Sequence, residues 1–176
     1  SGDPRALHSF PTRRSSDLEA EARAALPPAA TRALKIAAEN VRIFHQATRP
    51  DDGDWVETRP GVRSRIAWRP LESAGLYVPG GTAPLFSSLL MLAIPAQVAG
   101  VGRRVAVTPP SRDGQPHPAM IVAAAEAGLE DLWLIGGAQA IAALTFGATF
   151  DDGEIEPVAK LRSEEHTSEL QSRAYL

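Results

Sequence analysis

Three short apolar segments, at 75–78, 103–108 and 131–135, begin 28 positions apart, and the stretches between them read as helices. That interval suits one strand–helix unit, so the three segments are predicted to be parallel strands joined by right-handed crossovers. The run at 86–99 is apolar nearly all round, which predicts a helix covered on both sides. Residues 117–127 form an alanine-rich packing helix stopped by Gly128, and a third helix, 138–146, ends at Gly147. Ahead of this array, Leu34, Ala37, Val41 and Phe44 fall at helical spacing within 28–48, with Arg32, Lys35, Glu39 and Arg42 between them. This is an amphipathic helix, closed by Arg49-Pro50 because proline disfavours helical geometry in the residue before it. Residues 55–58 and 62–69, joined through Pro60-Gly61, then predict an antiparallel hairpin. Its Arg63, Arg65 and Arg69 are open to two readings, a binding face or a solvated strand face.

The expected fold class is therefore α/β, an incomplete doubly wound, Rossmann-like parallel sheet preceded by an amphipathic helix and an antiparallel hairpin. With 176 residues, 44% of them apolar and 22% charged, the chain has room for one ordinary core. Eighteen Lys and Arg against 21 Asp and Glu leave a net charge of −3, without the basic excess of a nucleic-acid binder. There is no cysteine, hence no disulfide framework, thiolate metal site or cysteine nucleophile, and a reducing compartment fits. The longest apolar run, 86–101, is interrupted by Ser87, Ser88, Pro95 and Gln97 and falls short of the roughly 20 residues of a membrane span. The start of the chain carries no apolar stretch behind its basic residues, so no secretory signal is read and the cytoplasm is expected.

The two ends differ from the interior. Residues 1–18 and 162–176 are rich in Ser, Thr and Arg without sustained periodicity, and are expected to be disordered. Leu7-His8-Ser9-Phe10-Pro11-Thr12-Arg13-Arg14-Ser15-Ser16-Asp17-Leu18 and the segment 162–173 resemble translated sequencing-adapter DNA. Setting them aside leaves a helix-and-hairpin region at 19–70 and a Rossmann-like portion at 71–161. It also removes His8 and His166, so His45 and His117 are the histidines left to consider.

In open parallel sheets, ligands bind beyond the carboxyl ends of the strands, where loops and helix starts present free backbone N–H groups. Here those ends are Tyr77-Val78-Pro79-Gly80-Gly81-Thr82-Ala83-Pro84, Thr108-Pro109-Pro110 and Ile135-Gly136-Gly137-Ala138-Gln139. Gly80, Gly81, Gly136 and Gly137 would let backbone approach a phosphate or ring, which makes a nucleotide the natural guest. Tyr77 is placed to stack on a base or to pack in the core with its hydroxyl at the rim. Gln139, donor and acceptor in one side chain, is placed to read an amide or ribose, or to cap its own helix. Neither G-x-G-x-x-G nor G-x-x-x-x-G-K-[ST] occurs, and a Gly-Gly pair at a strand end also serves as a tight turn. Neither His45 nor His117 has a second ligand at metal-binding spacing. Asp51-Asp52-Gly53-Asp54 lacks the glutamate a calcium loop needs, because Val62 stands there, and no G-x-S-x-G elbow exists.

Gly75-Leu76-Tyr77-Val78-Pro79-Gly80-Gly81-Thr82-Ala83-Pro84-Leu85, Ala93-Ile94-Pro95-Ala96, Val98-Ala99-Gly100-Val101, Thr108-Pro109-Pro110 and Gly136-Gly137-Ala138-Gln139-Ala140-Ile141-Ala142-Ala143-Leu144 together resemble the histidinol dehydrogenase family, in matching order across 28–160. Pro60-Gly61-Val62 and Arg69-Pro70-Leu71 fit too. The resemblance implies a homodimeric, zinc-dependent enzyme of histidine biosynthesis that oxidises L-histidinol to L-histidine through the aldehyde with NAD. It implies that Tyr77 and Gln139 contact NAD. It also implies that the zinc ligands, the catalytic Glu-His bases and the substrate histidines belong to a region beyond Lys160 that this chain does not contain. The alternatives are a noncatalytic α/β binding module, docking through the arginines of the hairpin, and a fragment of another NAD-dependent aldehyde dehydrogenase-like enzyme.

Overall fold

Proline at 28 cannot donate a backbone hydrogen bond and carries a helix-compatible φ, which suits it to begin a helix. In the computed structural model it does so. The structure describes residues 15–80, 84–111, 114–130, 132–150 and 153–163. Their elements are α1 (Ser15–Ala25), α2 (Pro28–Thr48), β1 (Val56–Arg59), β2 (Val62–Ser64), β3 (Ser73–Tyr77), α3 (Phe86–Val98), β4 (Arg103–Thr108), α4 (Pro118–Glu126), β5 (Leu132–Leu134), α5 (Gly137–Phe146), β6 (Ala148–Phe150), β7 (Gly153–Ile155) and β8 (Lys160–Ser163).

β5, β4, β3 and β8 form a parallel sheet in that spatial order. The chain steps from β3 outward to β4 and β5, then crosses back to place β8 on the other side of β3. This is the 3-2-1-4 arrangement of a doubly wound sheet, and the order reverses between β3 and β8. Side chains alternate across the sheet. Ala74, Leu76, Val78 and Ala106 join a core with α1 to α4, whereas Tyr77, Val105 and Val107 join a second one with α5, Trp133 and Ile155.

Helix ends follow their glycines. After α3, Gly100 takes φ +85, with Val101 N–H donating to the Ala96 carbonyl and Gly100 N–H to that of Gln97. Gly128 repeats the motif after α4 at φ +64. His117 caps α4, its Nδ1 accepting the Ala119 N–H at 3.1 Å, an ordinary structural task.

Several expectations are corrected. The buried face of α2 is Leu34 and Ala38 with Val41 partly covered, while Ala37 is exposed and Phe44 is 62% exposed. The rotation follows Arg42, which turns inward to donate to Gln97 Oε1 at 2.6 Å and to the Glu126 carbonyl at 3.0 Å. α3 is covered incompletely, since Met91 and Phe86 face outward. In the hairpin β2 stops at Ser64, and every residue of both strands is exposed, so the alternation marks no buried face. Its arginines are occupied within the chain. The guanidinium groups of Arg63 and Arg65 lie 5.5 and 4.9 Å from the Trp55 ring centre, and Arg65 and Arg69 pair with Asp52. The Trp68 N–H and then Arg69 hold the Asp52 carboxyl below its ordinary range.

Two elements cross the boundaries drawn from composition: α1 starts at Ser15, and β8 includes Arg162 and Ser163. α1 and α2 also share the first core with β3 and β4. A strand is held by its backbone partners whatever its side-chain pattern, and β8 pairs Leu76 with Arg162 and Tyr77 with Ser163. The Ala159 N–H donates to Ser73 Oγ at 2.9 Å, seating the start of β8. The rest of the adapter-like tails, with His8 and His166, lies outside the described residues.

Candidate functional site at the carboxyl edge

β3, β4 and β5 are in parallel register, so Tyr77, Thr108 and Leu134 bring their following loops to one edge. Tyr77 also neighbours the point where strand order reverses, through its pairing with Ser163. Its ring is half-buried in the α5-side core, and its hydroxyl oxygen accepts the Gly137 N–H at 3.4 Å. That long bond spans from the end of β3 over β4 to the first residue of α5.

Gln139 lies two residues further on and is exposed. A Cβ built on Gly137 would stand 3.0 Å from Gln139 Oε1, so the amide folds back toward the residue that the Tyr77 hydroxyl contacts. Both side chains therefore approach Gly137. Gln139 does not cap α5, whose N-cap is Gly136 with no side-chain bond. Gly137 holds φ +68, a conformation that favours glycine.

Gly80 and Gly136 have a different cause from the one expected. Gly136 is extended, at φ −124 and ψ 174, and Gly80 is not left-handed. What each lacks room for is a methyl group, because the Pro109 ring stands beside it. Gly81, Thr82 and Ala83 lie outside the described residues.

A cavity of about 380 Å³ opens at the opposite, amino edge, lined in part by Arg103, Arg104, Glu130, Trp133, Glu154 and Glu156. Its arginines serve the fold. Arg104 donates to the carbonyls of Ala127 and Gly128 at 2.9 and 2.8 Å, and Arg103 to those of Glu156 and Pro157. Partial burial draws the Arg104 guanidinium below its ordinary value. The carboxyl edge is the better candidate because loop ends and a helix start converge there at the reversal of strand order. Among the described residues no group of three or more His, Cys, Asp or Glu stands together to hold a metal ion. No helix among them is long and apolar enough to cross a membrane.

Sequence reasoning missed β8 and the role of Pro109.

Strand order and edge geometry define a doubly wound α/β protein of the Rossmann type. The model of the histidinol dehydrogenase family matches residues 8–162, which includes part of the first adapter-like stretch. A histidinol dehydrogenase of Caulobacter vibrioides is 49% identical over 144 residues, covering 81% of this chain and 32% of the relative. That of Symbiobacterium thermophilum is 49% identical over 130 residues, covering 72% and 29%. The crystal structure of histidinol dehydrogenase from Elizabethkingia anophelis superposes with a TM-score of 0.75 at 38% identity, covering 85% of this chain and 34% of that one. The chain belongs to the histidinol dehydrogenase family, and it spans about a third of the length of the relatives it matches. This displaces the aldehyde dehydrogenase-like alternative. The noncatalytic docking reading loses its support to the internal pairing of the hairpin arginines.

Proposed function

We propose that this chain carries part of the NAD cradle of an enzyme that oxidises L-histidinol to L-histidine through the aldehyde. The observation that carries the reading is the approach of both Tyr77 and Gln139 to Gly137 at the carboxyl edge. The residues present fit the cofactor in part. The Tyr77 hydroxyl, having accepted from Gly137, keeps its own proton free to donate. The Gln139 amide offers a donor and an acceptor from an exposed position. NAD, when bound, supplies the hydride acceptor, and the task of Tyr77 and Gln139 is to bind and orient it. Zinc is different: the described residues assemble no set that would hold it, and no step on this chain is assigned to it. Homodimerisation, the substrate L-histidinol and a cytoplasmic location belong to the proposal for the whole enzyme.

Calorimetric titration of NAD into the full chain tests the reading. Weak but measurable binding is expected, and Tyr77→Ala with Gln139→Ala together should lower affinity by about tenfold or more, the loss of roughly 1.4 kcal/mol. Affinity unchanged in the double variant would remove both residues from the cofactor site.

A further inference from the structure

Pro109 follows the last residue of β4, and because proline has no N–H it ends the ladder there. Its ring lies between the loop after β3 and the loop after β5. A Cβ on Gly80 would stand 2.9 Å from both Pro109 Cβ and Cγ. One on Gly136 would stand 2.5 Å from Cγ, 2.7 Å from Cβ and 3.2 Å from Cα. Neither glycine takes a left-handed backbone, so what excludes a side chain at both is the same rigid ring. One residue past Gly136, Gly137 is tied to the hydroxyl of Tyr77, three residues before Gly80.

We propose that Pro109 is a positioning residue, a spacer whose ring sets the separation between the Tyr77–Gly80 and Gly136–Gln139 loops and so the span open to a dinucleotide. The inference rests on the NAD reading above. Proline suits the task because its ring has no rotamer to yield, whereas a longer flexible side chain would let the loops close. A ligand that touches both loops senses their separation. A mononucleotide seated on one does not, and this difference separates positioning from a general loss of fold.

The experiment titrates NAD and, separately, AMP into the full wild-type chain and into Pro109→Gly, Gly136→Ala and the double variant. Pro109→Gly should weaken NAD by about tenfold while AMP changes by less than about twofold. Gly136→Ala should also weaken NAD, because its methyl group drives against the ring. Combining it with Pro109→Gly leaves only the 3.2 Å approach to Cα, and the added methyl partly refills the gap, so the double variant should bind NAD better than either single one. Wild-type NAD affinity in Pro109→Gly, or equal losses for NAD and AMP, overturns the spacer while leaving the NAD reading intact. Failure of the wild-type chain to bind NAD at all overturns both. Should Gly136→Ala fail to fold, the NAD-to-AMP contrast in Pro109→Gly decides alone.

Discussion

Leu144→Ala is expected to destabilise the chain by about 3 kcal/mol, within the range for a fully buried leucine. Leu144 is wholly buried on the inner face of α5, and its two terminal methyl groups reach within 3.1 Å of the point where a Cβ on Gly75 would sit. They fill the space that glycine leaves on β3. Collapse into the resulting cavity is restricted, because the Leu144 carbonyl is pinned by the Val158 N–H at 2.9 Å and the backbone of β3 is held on both sides by β4 and β8. For a chain of this size the loss corresponds to a fall in melting temperature of about 10 °C. Thermal denaturation followed by circular dichroism measures it, and a fall below about 3 °C would show that α5 does not pack on the sheet this way.

Gly75→Val attacks the same contact from the other side. Valine would normally help a strand, and replacing a strand glycine relieves about 0.5–1 kcal/mol of conformational cost. Against this, even its Cβ would stand 2.9 Å from Val158 Cγ2 and 3.1 Å from both Leu144 methyl groups. Overpacking of that kind costs about 1–3 kcal/mol, and the two further methyl groups of valine put it at the upper end, so destabilisation wins. The pair Gly75→Val and Leu144→Ala should lose less stability than the sum of the single losses, since one adds the volume that the other removes. Urea midpoints of the three variants test this, and strict additivity would separate residues that the structure places in contact.

α2 runs over 28–48 as the spacing requires, and Gly128 and Gly147 end α4 and α5, because periodicity and left-handed glycines are local properties. The parallel sheet was legible in the interval between strands for the same reason. What was hidden depends on distant partners. The face that α2 buries was settled by Arg42 reaching Gln97 and Glu126, a choice no spacing within the helix contains. β8 spans only Lys160–Ser163 and carries a single large apolar residue, Leu161, too little for a pattern to stand out; its place comes from backbone pairing with β3. The short hairpin of β6 and β7 was missed likewise, though it brings the Phe150 ring to 5.4 Å from that of Trp133. At the carboxyl edge, Tyr77 and Gln139 are proposed from residue type and position, whereas the packing of Pro109 beside Gly80 and Gly136 leaves no local sequence signal because the proline is far from both in sequence.

The central claim is that the nucleotide meets the carboxyl edge of the sheet at Tyr77 and the start of α5. Adding NAD to the 15N-labelled full chain and following backbone amide resonances tests it most directly. Shifts are expected at Tyr77, Gly136, Gly137 and Gln139, with Gly102, Gly128 and Glu130 at the amino edge unmoved. Shifts confined to Gly102, Gly128 and Glu130 would place the ligand in the cavity at the other end of the strands and contradict it.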